Sequence, residues 1–307
     1  MANPIVLTIS TGRCGTTFLY KSFQNIPQLN AYVFHESLHA NVAKPAMYHR
    51  SYTSNLQKTM LDNLSISRQV EKWLELADGR PVIEFGWTTS ALVPLLHSLI
   101  GNQLKVLVLH RHPIAVAGSL TNKGHYTKNK NPAWAISPMH SRVLFPEFSA
   151  RWPTMSPFEK SLYRWLEITA YGFEIAKLYS DIEIMNISSN KLFNDETLLS
   201  HIADFCRIAK PNLVAPSTYK NKTSGHDREI RPVGEEWQNY HRHPEFLDFA
   251  TKIGYDMSMN KVKEIVSSYQ MPDEFFPTFR KYTKYWQIRF YLGSLIKDLT
   301  KKNIWLD

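Results

Sequence analysis

Residues 5–23 read IVLTISTGRCGTTFLYKSF. Ile5–Ile9 is a short apolar run, the pattern of a buried strand. Behind it Gly12 and Gly15 bracket Arg13 and Cys14, Thr16 and Thr17 follow, and an apolar helical pattern starts at Phe18 and Leu19. A strand, a glycine-bearing turn and a helix start in that order build an oxyanion site. The first-turn N–H groups have no helical carbonyl to bond, and the positive end of the helix dipole favours a phosphate. The candidate anion ligands are therefore Gly12, Arg13, Cys14, Gly15, Thr16 and Thr17.

The rest of the chain repeats this alternation. Strand candidates are Ile5–Ile9, Ala31–Phe34, Pro81–Phe85, Lys105–His110 and Ile182–Ile187, with helical patterns at 16–25, 54–77, 88–100, 113–121, 157–179 and 194–208. Short apolar runs alternating with longer helical patterns predict an α/β fold, a parallel sheet covered by helices. Asp78-Gly79 is a helix stop ahead of the third strand. Two stretches break the rhythm. Residues 121–157 carry five prolines among Trp134, Phe145, Phe148 and Trp152. The prolines deny this stretch a long helix and the aromatics deny it disorder, which makes it an acceptor lid, with an inert surface loop as the alternative. Residues 217–245, rich in Lys, Arg, His and Asp, read as a loop, followed by helical patterns at 259–269 and 277–300.

Composition narrows the class. The length of 307 residues fits one large α/β domain or two small ones. Two cysteines, Cys14 and Cys206, make neither a disulfide framework nor a four-cysteine zinc site. No basic segment leads into an apolar one ahead of Ile5, and the most apolar region, 91–109, is interrupted by polar residues and Pro94. Neither a signal peptide nor a transmembrane helix is expected, and the expected compartment is the cytoplasm. A net charge of +9 suits an anionic ligand, nucleotide or nucleic acid or membrane surface, and equally a solvated basic surface.

Three loop chemistries compete for residues 10–17. A nucleoside-triphosphate loop needs four residues between its glycine and Gly-Lys-Ser/Thr, and a strand ending in Asp to hold magnesium. Here two residues separate Gly12 from Gly15, no lysine follows, and the strand at 105–109 runs into His110-Arg111. A cysteine-phosphatase loop would use Cys14 as a thiolate with an arginine about six residues on, and position 20 is Tyr20. Cys14 reads as a small loop residue with an incidental thiol; the alternative is a thiol whose pKa a helix N-terminus lowers.

The third is sulfuryl transfer. TGRCGTTFL resembles the 5′-phosphosulfate loop of the sulfotransferases that use 3′-phosphoadenosine 5′-phosphosulfate (PAPS), and KVLVLHRHPIAVAGSL, some ninety residues on, resembles their 3′-phosphate motif, with Arg111, Pro113 and Ser119 in its key positions. Weaker similarity runs through IEIMNISSNKLFNDETLLSHIADFCRI, and YKNKTSGH makes Lys222 a further basic contact to the 3′-phosphate. The resemblance covers residues 4–225 and implies the P-loop-like fold of that family. It also implies one domain over 1–307 with a helical extension at 246–307, PAPS as donor and 3′-phosphoadenosine 5′-phosphate (PAP) as product, and no metal. The implied partner is a small-molecule acceptor of natural-product type, with no nucleic acid and no membrane.

Under that resemblance Arg13 inherits the role of the lysine that stabilises the leaving oxygen, although an arginine is a poor proton donor. Thr16 and Thr17 would hold the phosphosulfate oxygens. Cytosolic family members carry a histidine base after the third strand, where this chain has VIEFGWTT. Tyrosylprotein and several bacterial members use a glutamate after the second strand, where it has YVFHESLH. Candidate bases are Glu36, then Glu84, then His35. Tyr163 or Trp165 in SLYRWLE would stack the adenine, the alternative being a core stripe. Two other classes stay open: a metal-dependent kinase on a divergent P-loop, and a non-catalytic basic nucleotide- or RNA-binding protein.

Overall fold

The computed structural model describes residues 3–24, 26, 29–38, 62–126, 136–139, 143–195, 197–208 and 235–267. Within them β1 (Ile5–Ser10), β2 (Tyr32–Phe34), β3 (Val82–Glu84), β4 (Leu104–His110) and β5 (Glu183–Ser188) form one sheet in the order β2-β3-β1-β4-β5. Every pairing is parallel. The α/β architecture expected from the sequence, a central parallel sheet flanked by helices, is the one observed.

The central strands β1 and β4 are buried along their whole length. That explains why both read as unbroken apolar runs, since strands of a parallel sheet are covered on both faces. Lys105 is the charged exception, and its Nζ meets the Phe205 carbonyl at 2.8 Å and the Glu183 carboxylate at 2.6 Å. The chain leaves β1 towards β2 on one side and leaves β4 towards β5 on the other. Between these adjacent strands the loops diverge and open a crevice at the carboxyl edge, where open α/β sheets bind ligands. Ser10 and Leu109 stand opposite each other at that edge.

The helices follow their sequence signals. α1 (Thr16–Gln24) begins at the glycine turn, and α2 (Leu64–Gly79) starts on Asn63, whose side chain accepts from the Ser65 and Ile66 amides, and stops at Gly79. α5 (Pro157–Leu178) carries a complete capping box, Ser156 with Glu159, and proline in its first turn. It lies close on the sheet because residue 172 is glycine: a Cβ there would stand 2.6 Å from Val108 Cγ1 and 3.2 Å from Ile9 Cγ2.

Several expectations need correction. The pattern at 88–100 opens as a 3-10 helix, Trp87–Leu92, before becoming α3 (Val93–Ile100). Beyond β4 and α4 (Pro113–Asn122), a short helix outside the expected patterns, α6 (Ser189–Asn194), precedes the 194–208 pattern, which forms α7 (Leu198–Phe205). Asp195 separates them, its carboxylate accepting from the Thr197 amide at 2.9 Å and hydroxyl at 2.7 Å, a local turn that competes with helix. Part of the stretch read as a loop to 245 is helical: a 3-10 turn at Glu235–Arg242, then α8 (Pro244–Lys252), with Pro244 in the first turn as the overlooked start signal. α9 (Met259–Ser267) falls on its expected pattern. Residues 217–234, the pattern at 277–300, Trp134 and Lys222 lie outside the described residues. In the lid candidate, Phe148 is fully buried, stacked on Phe246 at 5.1 Å and beside Tyr163 at 5.2 Å. Among the described residues no helix is long and apolar enough to cross a membrane.

Candidate active site

The loop after β1 turns through three residues in the left-handed region, Gly12 (φ 74°), Arg13 (φ 61°) and Gly15 (φ 107°). Both glycines are also demanded by space. A Cβ on Gly12 would lie 3.3 Å from the Trp87 indole, and one on Gly15 would lie 2.8 Å from Leu192. Ser10 Oγ accepts from the Gly12 amide at 3.2 Å, Thr11 Oγ1 donates to the Gly12 carbonyl at 2.8 Å, and Ser189 Oγ donates to the Cys14 carbonyl at 2.5 Å. With its own hydrogen bonds spent inward, the loop leaves the first-turn amides of α1 to face a ligand. Cys14 is fully buried, with Sγ 3.2 Å from Thr11 Oγ1. Cys14 is thus a small buried loop residue and not a lowered-pKa thiolate: burial pushes its thiol up, and hydrogen bonds from Thr11 and Ser10 oppose that only in part.

Arg111, at the end of β4, joins the same assembly. Its Nη1 donates to the Arg13 carbonyl at 3.2 Å, while Arg13 Nε donates to Ser119 Oγ on α4 at 2.9 Å. The two sequence motifs thus meet through Arg13 of the first, whose carbonyl takes Arg111 and whose side chain reaches Ser119 of the second. The Arg111 main chain is fixed too, its carbonyl accepting from Trp165 Nε1 at 2.9 Å. The flanking histidines point away from the loop into the C-terminal segment. His110 Nδ1 lies 2.6 Å from the Tyr255 hydroxyl. His112 Nδ1 accepts from the Ile114 amide at 3.3 Å and its Nε2 donates to the Asp256 carbonyl at 2.9 Å, which fixes a neutral tautomer. Burial lowers both histidines, His110 to about 4 with Lys191 adding repulsion.

The three base candidates cluster at the ends of β2 and β3. His35 Nε2 lies 3.4 Å from the hydroxyls of both Thr16 and Thr17, and its ring stacks on Tyr20 at 5.4 Å. Glu36 Oε1 lies 4.0 Å from His35 Nε2, on a side chain 41% exposed. Glu84 differs: it has no exposed surface, and its carboxylate accepts from the amides of Glu36 (2.8 Å), Ser37 (3.2 Å) and Gly86 (2.6 Å) and from the Ser37 hydroxyl. Burial raises the Glu84 pKa and these four donors pull against it. Of the two glutamates, Glu36 is the one a substrate can reach.

No protein-family model matches this chain, and no curated protein does. Among solved structures it is similar to a sulfotransferase from Alicyclobacillus acidocaldarius, at 15% identity over 84% of this chain and 98% of that one, with a TM-score of 0.47. It is also similar to the sulfotransferase domain of the Synechococcus PCC 7002 olefin synthase, at 17% identity over 89% and 98% of the two chains, TM-score 0.39. A third is the sulfotransferase domain from the curacin biosynthetic pathway, at 18% identity over 89% and 99%, TM-score 0.39.

Sequence reading did not single out two residues of the site. Arg164 is 1% exposed, donates to the Thr11 carbonyl at 3.2 Å and lies 4.8 Å over the Trp87 ring. A guanidinium behind the anion loop adds positive potential in a dry environment. Its signal was an arginine inside the otherwise apolar stripe SLYRWLE. The second is Phe193, 49% exposed and edge-on to Phe18 at 5.1 Å. It borders a pocket of about 300 Å³ shared with Arg111, Asn190, Asn194, Tyr255 and Glu264. Tyr163 and Trp165, by contrast, have no exposed surface. Tyr163 packs edge-on to Trp152 at 5.3 Å, and Trp165 lies against Phe249 at 5.7 Å, so neither ring has a face for a base. Among the described residues no group of three His, Cys, Asp or Glu is placed to hold a metal ion.

Proposed function

We propose that this protein is a sulfotransferase that moves a sulfuryl group from PAPS to a hydroxyl or amine of a small-molecule acceptor. The observation that carries the reading is the joint between the two cationic loops. Arg111, directly after β4, donates to the Arg13 carbonyl, and Arg13 reaches Ser119, so two anion subsites lie side by side at the ends of adjacent strands. A nucleotide with phosphates on both its 3′ and 5′ oxygens needs two such subsites, whereas a triphosphate needs one continuous cradle. Gly12, Cys14 and Gly15 form the 5′ turn by their backbone, and Arg111 with Ser119 forms the 3′ subsite. Lys222 is a further 3′ contact in this proposal. Phe193, beside Arg111 at the pocket, replaces Tyr163 as the platform for the adenine ring.

The residues then divide the work of an in-line displacement. The acceptor oxygen or nitrogen forms a bond to sulfur as the bond from sulfur to the 5′-phosphate oxygen breaks. Glu36 takes the acceptor proton, and its exposed carboxylate next to His35 suits that role. Arg13 and the first-turn amides of α1 stabilise the charge that develops on the departing phosphate oxygen. Thr16 and Thr17 hold the sulfuryl oxygens, with His35 orienting their hydroxyls. Buried Arg164 strengthens the same field from behind.

Thermal denaturation with PAP, AMP and ATP–magnesium tests the reading, since a ligand that binds only the folded state raises the melting temperature by mass action. Stabilisation by PAP without metal, exceeding that by AMP, is the expected result. A shift with ATP–magnesium alone would instead assign the loop to phosphoryl transfer.

A further inference from the structure

Glu36 is a non-glycine residue held at φ 54°, a conformation that is uncommon for residues with a Cβ. Something must hold it there, and among the described residues the hydrogen bonds donated by the Glu36 and Ser37 amides lead to one group. The Glu84 carboxylate, at the end of β3, takes the Glu36 and Gly86 amides on Oε1 and the Ser37 amide and hydroxyl on Oε2. The side chain is fully buried, so water does not compete for these oxygens. Residue 86 is part of the same arrangement. Its φ of −80° would suit any residue, yet a Cβ there would stand 2.4 Å from the Glu36 nitrogen and 2.7 Å from its Cα. Glycine is required because the backbone of the 36–37 turn is drawn in against it.

We infer that Glu84 is a positioning residue: a buried carboxylate that grips the backbone of the Glu36–Ser37 turn, with Gly86 leaving room for it, and so holds the Glu36 carboxylate beside His35, whose Nε2 lies next to the hydroxyls of Thr16 and Thr17. This inference rests on the role given to Glu36 in the proposed function. It moves Glu84 from candidate base to support. A base must have an oxygen free for the substrate proton, and both oxygens of Glu84 are occupied by donors from its own chain. Placing the grip at the end of β3 also ties the turn to the sheet, since the Phe85 amide donates to the Phe34 carbonyl at 3.0 Å one residue further on.

The experiment combines amide hydrogen exchange with turnover. In the wild-type protein the Glu36, Ser37 and Gly86 amides exchange slowly. In Glu84→Ala all three speed up at least about tenfold, while amides of β1 and β4 are unchanged. Glu84→Gln gives a pattern that general loosening would not. Its single carbonyl oxygen still accepts from Glu36 and Gly86, whereas its NH₂ faces the Ser37 amide, so only Ser37 exchanges faster. Gly86→Ala keeps the Glu84 residue but sets a Cβ 2.5 Å from its Oε1 and 2.4 Å from the Glu36 nitrogen, and so pushes the turn and the carboxylate apart by contact. It speeds exchange at Glu36 even if Glu84→Ala does not fold.

Turnover, followed in reverse as the sulfuryl group of 4-nitrophenyl sulfate passes to the 5′-phosphate oxygen of PAP and 4-nitrophenol is released, falls about a hundredfold in Glu84→Ala and Gly86→Ala, the scale of a displaced catalytic group. The stabilisation of each variant by PAP remains that of wild type. Adding Glu84→Ala to Glu36→Gln lowers turnover no further, because both act through one group. Equal exchange in wild type and Glu84→Ala overturns the inference. So does full multiplication of the two losses, or a Glu36→Gln protein that stays active while Glu84→Ala does not. A wild-type protein that neither binds PAP nor turns over defeats the sulfotransferase reading, and the exchange pattern still decides whether Glu84 grips the turn.

Discussion

Arg13 and Glu36 are a matched pair with opposite supports. Each follows a parallel strand, each is a non-glycine residue with positive φ (61° and 54°), and each presents a charge to the same edge of the sheet. The Arg13 turn is held from many sides by neutral hydroxyls and by cations: Ser10, Thr11, Ser119, Ser189, Arg111 and Arg164 all contact it. The Glu36 turn is held by one carboxylate, Glu84. A loop that binds anions gains from cations packed behind it, because they add to the potential at the ligand. A turn that carries an acid is held by a group of its own sign, used only as a hydrogen-bond acceptor. Distributed support resists single substitutions; support from one group does not.

The contrast can be broken in a definite order. Glu36→Gln is expected to lower turnover by about a thousandfold, within the range for a lost general base, and to leave the PAP-induced thermal shift intact. A variant that loses both would put Glu36 in the nucleotide site. Arg111→Ala comes next. Losing a charged hydrogen-bond donor weakens PAP binding by about 10- to 100-fold, measured by calorimetry, and the amides of Glu36 and Ser37 keep their exchange rates.

Acidity tests the strand that leads into Arg111, at His110 beside it. His110 titrates at about 4 in the fold against 6.5 for the free group, so it is folded as the neutral form. Its contribution is complete above pH 6.5 and is lost as the pH falls towards 4, at most ~3 kcal/mol, and the melting temperature falls over that window. His110→Asn, which retains an acceptor for the Tyr255 hydroxyl, flattens the fall. Gly172→Ala pushes α5 off β1 and β4 and destabilises the protein by about 1–3 kcal/mol in urea. The smallest effect is that of Ser119→Ala. It removes the acceptor from Arg13 Nε and lowers PAP affinity about fivefold, a net loss near 1 kcal/mol.

The same contrast separates what could be read in the sequence from what could not. The Arg13 turn was legible because its requirements are local: two glycines at fixed spacing, a strand before them and a helix after. β1 and β4 were legible because central parallel strands bury both faces and lose the alternation that marks half-exposed ones. The Glu36 turn yielded only a list of candidates, since the pairing that defines it joins residues 48 positions apart. In VIEFGW a lone glutamate and a glycine two residues on carry no sign that both face the backbone of another loop. Tyr163 and Trp165 failed for a related reason. An aromatic stripe on a helix has one sequence pattern whether it faces a pocket or the core, and Phe148 and Phe249 made it core. α8 was obscured by the basic and histidine-rich residues before it, although Pro244 marks its start.

The bond from Ser189 to the Cys14 carbonyl spans 175 residues of chain. Parallel pairing makes such long connections unavoidable, and contacts of this range form late because the intervening loop must close first. During synthesis the turn at Gly12–Gly15 emerges early but gains its last anchor only after β5 and the start of α6 have been made and docked. A nascent chain therefore holds this turn without the Ser189 anchor. If PAP binds at this turn as proposed, its affinity is expected to arrive only with the completed sheet and to report on folding as a whole.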